Sequence, residues 1–126
     1  MRQLARTYEA LLVGTAGASA VLLGAFGAHA LSGMLDTTHR ELWHTAVQYH
    51  FWHALGLGLA VLGAGGRARP LAVAAFALGI VFFSGSLYAL ALGAGRWVGV
   101  LTPFGGVAFA LGWIALGAGL RTRPAG

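Results

Sequence analysis

Four long stretches of this chain carry no acidic or basic residue other than histidine, and no other feature restricts its fold as tightly. They run from Ala10 to Leu31 (22 residues), Thr45 to Gly66 (22), Pro70 to Gly95 (26) and Trp97 to Leu120 (24). About 20 mainly apolar residues in an α-helix, rising about 1.5 Å each, cross the hydrocarbon core of a bilayer. A membrane barrel would instead need at least about eight segments of alternating hydrophobicity. The reading is therefore all-α: a polytopic membrane protein with four transmembrane helices, about 8–31, 38–64, 70–94 and 102–120, in a single transmembrane domain over 1–126. Composition points the same way, with 58% of residues hydrophobic and 9% charged, against about 45–50% and 25% in a soluble domain. Ala28-His29-Ala30 mimics a signal-cleavage site, but a signal's apolar core spans only about 7–15 residues, so the first stretch counts as a helix.

Charge is sparse and one-sided: eight arginines, no lysine, three acids (Glu9, Asp36, Glu41) and a net charge of +5. The arginines fall in ones and twos between apolar runs rather than along one face, which argues against a nucleic-acid partner. With no cysteine, disulfides, thiolate metal sites and thiol catalysis are excluded. Arg2, Arg6, Arg67, Arg69, Arg121 and Arg123 fall on one side of the four spans, Arg40 and Arg96 on the other. The positive-inside rule then places both termini in the cytoplasm, and short connections make an up-down bundle in the bacterial cytoplasmic (inner) membrane. Thr38 and Glu41 have the spacing of a capping box that would open the second helix. Thr102-Pro103 would be the cap and first residue of the fourth, unless that helix starts near Trp97 and bends at Pro103.

Lipid gives helices no hydrophobic reason to associate, so small residues must let backbones approach. Ala16, Ala20, Gly24 and Ala28 recur every four residues, while Gly79, Ser86 and Gly93, and again Gly105, Gly112 and Gly119, recur every seven. Gly24, Ala28, Gly79, Gly105, Gly112 and Gly119 are the expected packing positions, the alternative being that glycines line a path for a substrate. Glu9, next to Arg6 in the first turn, reads as half of an interfacial ion pair.

Polar groups inside a membrane are costly and so are functional candidates. His29, Tyr49, His50, His53, Ser84, Ser86, Tyr88 and Thr102 all fall toward the outer half of the four spans. Three readings compete for this cluster. It could be a hydrogen-bonded plug that fixes helix register, or a site that handles protons or a small molecule through histidine. It could also ligate a metal or haem through His29, His50 and His53, although no carboxylate lies at that depth. Ser84 and Ser86 have no acid nearby to orient a histidine base, so no catalytic residue is assigned.

The motifs Gly24-Ala25-Phe26-Gly27-Ala28-His29-Ala30-Leu31, Thr45-Ala46 with Tyr49 and His53-Ala54-Leu55, Phe83-Ser84-Gly85-Ser86-Leu87-Tyr88, Thr102-Pro103-Phe104-Gly105-Gly106 and Gly112-Trp113 occur in one order along nearly the whole chain. In these the sequence resembles the YgdD-like family of small inner-membrane proteins, a domain of unknown function. The resemblance implies four transmembrane helices and no established activity. It carries over His29, Tyr49, His53, Ser84, Ser86, Tyr88 and Thr102, while the family pattern often has Gln where this chain has His50. The expected function is a non-enzymatic accessory or membrane-integrity component acting through lipid or protein contacts. The alternatives are a small transporter or proton-linked channel using the outer cluster, and a metal- or haem-binding subunit. No cofactor is expected. Membrane lipids are the expected partners, and a homo-oligomer or larger membrane complex is compatible with so small a bundle.

Overall fold

A computed structural model describes residues 5–121, and within them the chain is helical, with no strand. Arg2 and Arg123, which enter the orientation argument, lie outside the described residues. Helix α1 spans Thr7–His29; the Arg6 backbone N–H donates to Glu9 Oε1 at 2.9 Å and closes its first turn. Helix α2 spans Thr37–Gly63. Its cap is Asp36, whose Oδ1 accepts from the His39 backbone N–H at 2.8 Å, and this replaces the expected Thr38–Glu41 capping box. A carboxylate is a stronger acceptor than a hydroxyl, and Asp36 is the residue placed three positions before a free N–H.

The third rod is composite: α3 (Ala68–Gly79), a π-helical turn (Ile80–Ser84) and α4 (Gly85–Ala91). Gly93 follows with φ +101°, in the left-handed region where glycine carries no penalty. The expected stripe of Gly79, Ser86 and Gly93 therefore stops at Ser86, because Gly93 terminates the helix. A 3₁₀ turn over Arg96–Val100 leads directly into α5 (Leu101–Arg121). Thr102 is thus not a cap. The chain becomes helical at Arg96, near the alternative start, and Pro103 sits in the first turn of α5, where its missing N–H is tolerated.

Three of the four rods are long and apolar enough to cross a membrane: Thr7–His29, Ala68–Ala91 and Arg96–Arg121. The other, α2, carries most of the polar residues and lies in the middle, touching α1, α3, α4 and α5. Its inward face buries Trp43, Ala46, His50, His53 and Leu57. By contrast, α1 is peripheral and buries only Glu9 and Ala20. The core between α2, α3 and α5 is built from Leu57, Ala60, Val61, Phe76, Phe109 and Leu116.

Glycines set how closely α5 approaches the third rod and the C-terminal end of α2. A Cβ at Gly112 would lie 2.7 Å from the Phe76 ring, and one at Gly119 2.7 Å from Ala64 Cβ. One at Gly79 would overlap the Phe109 ring, and one at Gly105 the backbone nitrogen of Phe83 in the π turn. The bulge of the π turn thus occupies the space that a side chain at position 105 would need. Between α1 and α2, Gly24 faces Val47 and Gly27 lies flat against the Trp43 indole, whereas Ala28 is exposed. Trp43 Nε1 donates to the Leu23 carbonyl at 2.9 Å.

Candidate functional site

The polar residues of the interior are drawn from every rod, and α2 supplies the centre. His50 lies between two hydroxyls, with Nε2 3.0 Å from Ser19 Oγ of α1 and Nδ1 2.8 Å from Tyr88 Oη of α4. Ser19 Oγ also donates to the Ala16 carbonyl at 3.1 Å. With that proton committed, a single arrangement uses every donor: Tyr88 donates to Nδ1, and Nε2–H donates to Ser19. A neutral imidazole with its proton on Nε2 satisfies this chain of bonds.

His53, one turn further along α2, is held differently. Its Nδ1–H donates to the Tyr49 carbonyl at 2.6 Å, because a carbonyl can only accept. Its ring stacks on Phe109 with centroids 3.5 Å apart and planes 9° off parallel, and Trp113 and Phe76 approach from the sides. Tyr49 extends the stack toward Phe83 and Trp52. His53 therefore sits in an aromatic box against α3 and α5, while His50 bridges α1 and α4.

Hydroxyls complete the set. Ser84, fully buried at the end of the π turn, donates to the Ala46 carbonyl of α2 at 2.8 Å. Ser86 Oγ donates to the Phe83 carbonyl at 2.9 Å and lies 2.5 Å from Thr102 Oγ1, which links α4 to α5. Trp43 packs on Tyr88, the hydroxyl partner of His50, with centroids 4.6 Å apart. No buried side-chain nitrogen or oxygen among the described residues lacks a hydrogen-bond partner.

His29 is not part of this cluster. It is the last residue of α1 and is exposed, and Ser19, ten residues earlier, is the group that α1 contributes. Ser19 was missed because a lone hydroxyl in a run of Ala and Gly reads as a packing residue; its spacing from Ala16 and Ala20, on the face toward α2, was the available signal. The weak metal candidates His29, His50 and His53 point to three different places, and no group of three His, Cys, Asp or Glu side chains suited to a metal occurs among the described residues. Glu9 takes its side-chain partner from across the bundle: the Arg69 guanidinium donates to it twice, at 2.7 and 2.9 Å, while Arg6 adds its backbone N–H and a nearby positive charge.

Residues 23–106 match the family described as Protein of unknown function (DUF423). The chain is 46% identical over 102 residues to the UPF0382 membrane protein YwdK of Bacillus subtilis, covering 77% of this chain and 82% of that protein. It is 42% identical over 100 residues to the UPF0382 inner membrane protein YgdD of Escherichia coli, covering 74% and 73%. It is 37% identical over 110 residues to a UPF0382 membrane protein of Haemophilus influenzae, covering 86% and 89%. No solved structure matches significantly.

Proposed function

This chain belongs to the DUF423 family of membrane proteins, and from that premise we propose that it is a non-enzymatic accessory or integrity component of the bacterial cytoplasmic membrane, acting through lipid or protein contacts. In this reading all four rods span the bilayer. Helix α2 crosses with His50 and His53 buried against neighbouring helices, the usual arrangement for intramembrane polar groups. Both termini are cytoplasmic, with Arg6, Arg67, Arg69 and Arg121 on that side and Arg40 and Arg96 on the other.

The observation that carries the reading is the contrast between inside and outside. Among the described residues, the buried polar side chains find hydrogen-bond partners inside the protein, on other side chains or on backbone carbonyls. The outer surface presents large apolar side chains from every rod, among them Leu22, Leu62, Val81 and Ile114. A protein built this way has its free surface where lipids and other helices are. Native mass spectrometry of the protein released from its own membranes tests this: retained lipid or a stoichiometric protein partner is expected. A bare monomer, together with unchanged membrane behaviour on deletion of the gene, would overturn it.

A second reading, a small proton-linked channel or transporter, is favoured by one feature. Tyr88, His50 and Ser19 form a hydroxyl–imidazole–hydroxyl relay across the bundle. It requires a pH-dependent flux in liposomes that His50→Gln diminishes.

A further inference from the structure

The antiparallel arrangement brings the starts of α1 and α3 to one face, where they border an open pocket of about 450 Å³. Among the described residues, three arginines, Arg6, Arg67 and Arg69, line it against one acid, Glu9. Glu9 is bound by the two bonds from Arg69, so among the described lining residues Arg6 and Arg67 add two positive charges in excess. The positive dipole ends of α1 and α3 point to the same place and add to this field.

The rim is built rather than incidental. Gly66 has φ +63°, a left-handed conformation that L side chains adopt only at a cost, and it turns the chain between α2 and α3. The neighbouring Gly65 N–H donates to the Gly119 carbonyl of α5 at 3.0 Å, which pins the turn that carries Arg67. Tyr8 and Pro70 supply further wall. On the membrane side of the pocket, Leu11 and Leu71 follow on the same two helices and are both more than 60% exposed. A cationic recess opening beside exposed leucines matches a molecule with an anionic phosphate at one end and acyl chains at the other.

We propose that this pocket binds the phosphate headgroup of an anionic phospholipid, with Arg6 and Arg67 as its charge partners and the Glu9–Arg69 pair as a fixed floor. Basic pockets between membrane helices on the cytoplasmic side are the general setting for such headgroups. The proposal rests on the lipid-contact reading above and gives it a location.

The test uses the full chain in phosphatidylcholine nanodiscs, titrated with phosphatidylglycerol and read by native mass spectrometry. Wild type is expected to retain phosphatidylglycerol in preference to phosphatidylcholine. Arg6→Gln with Arg67→Gln should weaken phosphatidylglycerol binding about 25-fold, roughly fivefold per arginine, at unchanged helicity. Arg40→Gln with Arg96→Gln, which removes the same charge from the opposite end, should leave it unchanged. If the Arg6/Arg67 variant keeps the full preference, this site is overturned while the lipid-contact reading stands. If glycerol phosphate displaces the lipid mole for mole, the pocket takes a free anion and the lipid proposal is overturned. If wild type retains no lipid of either kind and no partner, the broader reading fails first.

Discussion

At residue scale, the glycines divide by what a methyl group would meet. Gly105→Ala would drive Cβ into the Phe83 backbone, which has no rotamer to escape through. Overpacking of a fitted interior costs about 1–3 kcal/mol, and a backbone collision belongs at the upper end. Gly117→Ala, with nothing within 4 Å, should leave thermal unfolding in detergent unchanged while Gly105→Ala lowers the midpoint by several degrees or aggregates. Tyr88→Phe would leave His50 Nδ1 without its donor inside the bundle, a loss of about 1–3 kcal/mol in the same assay. These residue types were readable from the sequence, because Gly, His, Tyr and Ser stand out in an apolar run. Their partners were not: nothing in the sequence separates Gly27, pressed against Trp43, from exposed Ala28 beside it. His29 stood out by type but is exposed, and the plainer Ser19 bonds His50 instead.

At the scale of elements, the long spans follow from run length alone, whereas their ends and irregularities depend on local competition. The α2 cap fell to Asp36 over Thr38 through acceptor strength, and its carboxyl is held below the usual carboxylate range by the His39 N–H and ring. Because the folded value is lowered, the cap's contribution is full above the unfolded value of about 3.9 and is lost as pH falls through the lower folded value. Protection of the amides at residues 37–40, taken relative to their intrinsic exchange rates, should therefore fall below about pH 4 in wild type and be low at all pH values in Asp36→Ala. The π turn gave no composition signal, since Ile80-Val81-Phe82-Phe83-Ser84 reads as ordinary helix; it arises where Gly105 leaves room for the bulge. Helix α1 touches α3 sparingly, so the Glu9–Arg69 fork is its main tether there. Glu9→Gln should cost about 2 kcal/mol, the range for hydrogen bonds to charged groups, and raise exchange in the first turns of α1 while α2 and α5 stay protected.

For the whole molecule, the order of helices matters more than their hydrophobicity. The least apolar rod, α2, contacts all the others and turns His50 and His53 inward, so the polar groups that the sequence sets at one level meet partners inside the fold. The sequence could place those groups at one level, but which neighbour each would meet depends on helix rotation, and that is decided by glycine contacts between helices far apart in the chain. The central claim is that this polar interior holds the bundle together and that the protein acts through its outer surface. Proton flux across liposomes containing the purified protein, measured with a trapped pH dye from pH 5.5 to 8, tests that claim most directly. Wild type and His50→Gln should both be indistinguishable from empty liposomes. A pH-dependent flux in wild type that His50→Gln abolishes would contradict it and make the Tyr88–His50–Ser19 relay the working part of the molecule.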